Sequence, residues 1–172
     1  MEIVRNSLRI IDSISDWTGK TIHWLSVALI LVIVFEVIMR YVFVAPTIWG
    51  YDTSRMIGAA LYILAWSYVH RHRSHVRVDI IYTRLSPRSK AIIDVIGTLL
   101  FFFPLVILFI DTSIAWMWRA WLLNEKLVET YWYPPTAPLR TVVTIGLVLF
   151  AIQGSAQFFR DLYVLIRNKP YD

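Results

Sequence analysis

Cysteine is absent from the 172-residue chain, which excludes a disulfide scaffold, thiolate-ligated zinc or iron–sulfur centres, and a Cys nucleophile in one step. Charge is scarce as well. Asp, Glu, Lys and Arg make up 17% of the residues and hydrophobic residues 58%, where soluble domains run at about 25% and about 45–50%. A chain displaced in both directions reads as an integral membrane protein. Acids are the scarcer sign, with 12 Asp and Glu facing 17 Lys and Arg for a net charge of +5. In a soluble protein that excess would suggest nucleic acid, but basic residues also gather beside membranes on the cytoplasmic face, so their positions decide.

Stretches free of charged side chains run over 21–35, 56–70, 95–110 and 141–159. The last passes a strict requirement for about 18 uncharged residues, and the others become long enough when one or two charges near an end are admitted. The expected fold class is therefore all-α integral membrane, a single domain over 21–163 with four transmembrane helices at about 21–44, 48–70, 92–118 and 139–163. At 1.5 Å per residue, roughly 24 residues reach about 36 Å, enough for a hydrocarbon core of about 30 Å. A large soluble core around such helices is beyond 172 residues. The first twenty residues are too polar for a signal peptide and lack a small-residue cleavage site. Val4, Leu8, Ile11 and Ile14 form one helical stripe with Arg5, Arg9 and Asp12 elsewhere. That pattern predicts a short interfacial amphipathic helix over 1–20.

An even number of spans puts both termini on one side. That side collects most of the 17 basic residues: Arg5, Arg9 and Lys20, then Arg71, Arg73, Arg77, Arg84, Arg88 and Lys90, then Arg160, Arg167 and Lys169. The other side holds Arg40, Arg55, Arg119, Lys126 and Arg140, balanced by Glu36, Asp52, Asp111, Glu125 and Glu129. Both termini, including a tail over 164–172, are thus expected in the cytoplasm, and the net +5 reports orientation. Trp49, Trp116, Trp118, Trp121 and Trp132 fall near the outer interface and Trp17, Trp24 and Trp66 near the inner one, as interfacial belts require.

Glu36 and Arg40 stand four apart near the outer end of the first span, so their side chains meet on one face. Asp52 and Arg55 open the second span at the same level, beside Trp49, and Asp111 of the third is expected to join them. Charges within a membrane are expensive enough to mark function or assembly. A mutually paired layer that fixes packing or docks another subunit competes here with a proton relay, and Arg40 beside Glu36 favours the paired layer. His23 and His70 invite a b-type haem between two imidazoles, against which both are interfacial and neither lies well inside its helix. The basic loop after the second span, with His75, Arg77, Asp79, Arg84 and Arg88, fits contact with anionic lipid headgroups; nucleic acid is discounted, since one short loop would do all the binding. Gly58 with Ala59 and Ala60, and Gly146 with Gly154, make small faces for close helix approach, Gln153 and Gln157 share a face, and Pro104 can kink the third span. With no nucleophile–base pair and no phosphate-binding loop, an enzyme is not expected, nor is a cofactor.

The stretch FEVIMRYVF (35–43), followed by Pro46, Trp49 and Asp52, and the later HVRVDIIYTRL (75–85) resemble the small membrane subunit of tripartite ATP-independent periplasmic (TRAP) transporters. Glu36, Arg40, Tyr41 and Phe43, then Pro46 and Trp49, then His75, Val78 and Asp79 fall onto the family pattern; Tyr51 and Asp52 stand where it has a pair of acids. The resemblance covers essentially the whole chain. It implies a non-catalytic subunit of a sodium-coupled uptake system in the bacterial inner membrane. Its partners would be a large membrane subunit that moves the substrate, a periplasmic substrate-binding protein and membrane lipids, and the substrate class would be organic acids. On this reading the chain braces the stationary scaffold of the large subunit and helps dock the binding protein. The alternatives are a haem-bearing anchor of a respiratory enzyme and a small self-assembling proton-coupled exporter using Glu36.

Overall fold

The computed structural model describes residues 2–72 and 85–167. Within them the chain is helical: α1 (Glu2–Tyr41), α2 (Gly50–Arg71), α3 (Pro87–Gly97), a π-helical turn (Thr98–Phe102), α4 (Phe103–Leu123) and α5 (Ala137–Arg167). The π turn joins α3 to α4, so Arg88–Leu123 forms one continuous rod. Pro104 explains its place. A proline lacks the N–H that an α-helical turn needs, and a widened turn just before it accommodates the lost bond. Ser86 starts α3 by accepting the Ser89 N–H at 3.2 Å, with Pro87 at the first helical position. Asn124 ends α4 in the left-handed conformation that asparagine tolerates.

Among the described residues, three helices are long and apolar enough to cross a membrane: Arg5–Tyr41, Arg88–Leu123 and Ala137–Arg167. The sequence led us to expect four. The difference is α2, whose 22 residues are diluted by Asp52, Arg55, Ser67, His70 and Arg71. These helices pack as a chain of neighbours, α1 against α2, α2 against α5, and α5 against α3 and α4, so α5 touches every other helix. Asp52 and Ser67 of α2 are fully buried, whereas the apolar residues of α1 and α4 are mostly exposed. The polar side chains of α2 thus lie where protein covers them.

No break occurs at residue 20, where a separate interfacial helix was expected to end. The α1 helix is continuous for 40 residues, about 60 Å at 1.5 Å per residue, twice a hydrocarbon core of about 30 Å. Its inward stripe differs too. Leu8, Ser15, Thr18 and Ile22 are buried, while Ile14 is exposed. The helix turns a mixed apolar and hydroxyl face to the bundle, for which the other end of the chain supplies partners.

Small residues set the helix spacing, as they do where lipid tails compete equally with apolar side chains. A Cβ on Gly146 of α5 would lie 2.9 Å from Ile63 Cγ1 and 3.1 Å from the Ile63 backbone carbonyl carbon, so the α2 and α5 backbones nearly touch there. At Gly154 a Cβ would enter the Phe102 ring, and at Gly19 the Tyr68 ring. Gly58, expected to form a similar face, meets nothing within 4 Å. We therefore predict that Gly146→Leu destabilises the bundle by about 1–3 kcal/mol through overpacking, read as a lower melting temperature of the purified protein in detergent, while Gly58→Leu leaves it unchanged. Equal losses in both variants would show that the contact at Gly146 does not set the α2–α5 spacing.

Candidate functional site

The polar side chains gather at the two ends of the bundle. At the outer end, Glu36 and Arg40 lie one turn apart on α1, and Arg40 Nη2 donates to Glu36 Oε1 at 2.8 Å with Nε at 3.3 Å. The other carboxylate oxygen accepts from the Thr47 hydroxyl and, at 3.3 Å, from the Thr47 backbone N–H. That same hydroxyl oxygen accepts the Gly50 N–H at 3.0 Å. Trp49 precedes α2 without a side-chain cap, so Thr47 takes up an orphan donor of the first turn. Glu36 thereby ties α1, the connection and the start of α2 into one unit. Within that connection Val44 has φ 51, a conformation that a β-branched residue adopts only when its surroundings hold it there. Trp49 stacks on Phe35 at 5.7 Å and 18°, and a groove of about 250 Å³ opens beside Glu36, Arg40, Tyr41, Gly50 and Tyr51.

Asp52 and Arg55 face a different partner, the α4–α5 connection. Asp52 is fully buried and one of its oxygens accepts from the Thr130 hydroxyl; its Oδ1 has no hydrogen-bond partner. Its position in the first turn of α2 places the carboxylate where exposed backbone N–H groups favour negative charge. Arg55 pairs with Glu129 and lies 5.4 Å from the Tyr51 ring centroid. The connection is itself built to present these groups. Leu127 N–H donates to Pro134 O and Thr136 N–H to Glu125 O, both at 2.9 Å, and the Glu125 carboxylate bridges Arg119 at 2.9 Å and Arg140 at 2.7 Å.

Four of the expected outer residues thus form two adjoining assemblies, Glu36 with Arg40 and Thr47, and Asp52 and Arg55 with Thr130 and Glu129. Asp111 joins neither. It is exposed on α4 and makes no hydrogen bond or ion pair within the described residues. His75, Arg77, Asp79 and Arg84 lie outside the described residues, and Arg88 is exposed in the first turn of α3. His70 stacks on Phe102 at 5.5 Å and meets the edge of Phe150 at 5.3 Å, and His23 packs on Trp24 at 4.9 Å. Among the described residues no group of three or more His, Asp or Glu is placed to hold a metal ion.

Sequence reading missed a second polar node at the opposite end. Asp12 Oδ2 accepts from Arg160 Nη2 at 2.6 Å, and Oδ1 accepts from Gln153 Nε2 at 3.2 Å. The Ser15 hydroxyl donates to Gln153 Oε1 at 2.8 Å, and Arg71 reaches the Asp12 backbone oxygen at 2.6 Å while pairing with Asp16. One carboxylate therefore joins the amino end of α1 to the ends of α2 and α5. The shared face of Gln153 and Gln157 was the one available signal; nothing local in the sequence points from position 12 to position 160. We predict that Asp12→Ala, by leaving the half-buried Arg160 and the fully buried Gln153 amide without this acceptor, lowers stability by about 1–3 kcal/mol. A melting temperature within error of the parent, with limited proteolysis near residue 20 unchanged, would remove the node from the account.

Comparison with known proteins now bears on these assemblies. The model of the family described as "Tripartite ATP-independent periplasmic transporters, DctQ component" matches residues 29–163. A comparison with curated proteins finds no match. The family match spans the outer assemblies, the whole of α2 to α4 and most of α5, and it begins beyond Asp12 and Ser15. With more than half of the chain matched, this all-helical membrane protein belongs to the DctQ family, as a small permease subunit of a TRAP transporter.

Proposed function

We propose that the chain is the non-catalytic small subunit of a sodium-coupled TRAP uptake system for organic acids in a bacterial inner membrane, and that it braces the stationary scaffold of the large transport subunit. The family match carries this reading. What the geometry adds is a mechanism for rigidity. Each polar end of the bundle is cross-linked between elements distant in sequence, so helix positions are held at both ends against a moving partner. The outer face, with the groove beside Glu36, Arg40 and Tyr51, is the surface we assign to the rim that meets the large subunit or the periplasmic binding protein.

In this reading α2 also crosses the membrane. Its 22 residues reach about 33 Å, and its buried Asp52 and Ser67 face α1, α5 and the outer connection instead of lipid. Four spans return both termini to one side. Arg5, Arg9, Lys20, Arg71, Arg88, Lys90, Arg160 and Arg167 then share the cytoplasmic face.

The test is reconstitution. We expect the chain alone in proteoliposomes to transport nothing, and the complex with the large subunit and binding protein to take up an organic acid under an inward sodium gradient. Arg40→Ala removes one of the two partners of Glu36 and leaves Thr47 in place, so we expect a partial loss, about three- to tenfold in recovered complex or uptake. Transport by the chain alone would overturn the subunit reading; parental yield and uptake in Arg40→Ala would remove the outer assembly from it.

A further inference from the structure

The α4 helix has two opposite stripes, and the bundle uses one. Val106 and Ala120 are buried on the side facing α5, where the Ser113 carbonyl also accepts from Thr144 at 3.3 Å and Phe103 meets Phe158 at 5.4 Å. Two positions further round, Pro104, Leu108, Asp111, Ala115, Trp118 and Leu122 recur at alternating spacings of four and three, and all six are exposed. An offset of two residues is about 200° on a helix of 3.6 residues per turn, so this stripe points directly away from α5. Spacings of three and four are those at which one helix presents a seam to another.

Asp111 is what distinguishes this stripe from lipid-facing surface. It stands five residues before Trp116 and seven before Trp118, about 8–10 Å along the axis from the aromatic belt toward the hydrocarbon. Its neighbour Thr112 offers no donor, since that hydroxyl is bonded to the Leu108 carbonyl at 2.9 Å. Lipid tails supply no donor either, and a soluble binding protein does not reach below the belt. A second copy of the chain packed through this seam would set carboxylate against carboxylate.

We propose that this stripe of α4 is the seam for a transmembrane helix of another membrane subunit, one that presents a basic or hydroxyl side chain to Asp111. Resting on the function proposed above, that subunit is the large transport subunit, and Asp111 fixes the depth and register at which the two pack. A single polar position in an otherwise apolar seam has that effect because any sliding leaves the carboxylate without its donor.

The lack of native cysteine makes the test direct. Ala115→Cys, labelled with a maleimide photo-crosslinker in membranes containing the large subunit, is expected to give an adduct of the summed mass of the two subunits. Ile30→Cys, exposed on α1 away from the outer groove, serves as the comparison site. Adding Asp111→Leu should reduce the Ala115 adduct and the co-purified large subunit about three- to tenfold, and Asp111→Asn, which keeps an acceptor, should restore part of both. An adduct of twice the chain's own mass would overturn the proposal in favour of a second copy. Lipid adducts alone at position 115, with the large subunit still co-purifying, would overturn the seam and leave the subunit reading standing. Failure of the parent chain to capture the large subunit at all would overturn both. An Asp111→Leu variant that keeps adduct and capture at parental levels would overturn the role of the carboxylate.

Discussion

Hydrocarbon offers no hydrogen bonds, and the polar architecture of this chain follows from that constraint. Asp52 is covered by a connection that brings Thr130 to it, and Glu36 is closed by Arg40 and Thr47. At the far end Asp12 and Ser15 of α1 and Gln153 of α5 satisfy one another across two helices. Serine and threonine hydroxyls along the spans return to the preceding turn, as at Thr18 to Ile14, Thr144 to Arg140 and Ser155 to Ala151. Between the two polar ends the helices are left with apolar and small residues, and their spacing is set by backbone approach, as where Ile63 lies against Gly146.

The same constraint explains why α2 is less apolar than α1, α4 and α5. Flanked by α1 and α5, it can carry Asp52 and Ser67 inward at no exposure to lipid. Measured by composition alone it does not qualify as a span, while α1 and α4, with one covered side each, must be apolar nearly all round. A helix can carry polar side chains where protein covers them, and in α2 they are frequent enough to take it below a hydropathy threshold.

How much of this was legible beforehand divides along sequence distance. Glu36 and Arg40 meet because they stand four apart on one helix, and that pair was readable. The start of α2 near residue 50, the end of α4 before the Pro-rich connection and the start of α5 near residue 137 follow from where apolar runs meet turn residues. Thr47, Thr130 and Glu129 were not readable as partners, since each lies on a connection whose path depends on the helices already being packed. The expected break at residue 20 failed for a related reason. Asp12 looked like a solvated charge of a surface helix, yet Arg71, 59 residues after it, and Arg160, 148 residues after it, are its counterions. Periodicity reports which residues share a face; it carries no information about what that face meets.

For the outward surface the difficulty is sharper, because lipid and a partner helix are chemically alike. Leu108 and Trp118 are exposed on α4, and Ile30 and Leu31 on α1, and each would be equally content against acyl chains or against another subunit's leucines. Exposed apolar area therefore says little about assembly in this solvent, although in water it would be the first thing to examine. Polar atoms break the tie. The charges of Glu36, Arg55 and Asp12 are met within the chain and Asp52 is buried away from the surface, so the surface around them has no unmet demand. Among the described residues Asp111 has no partner, and it stands on the stripe opposite the one that α5 covers. A carboxylate in that place leaves its face of α4 less stable against lipid than against a donor, and the rest of the chain's apolar surface is indifferent between the two.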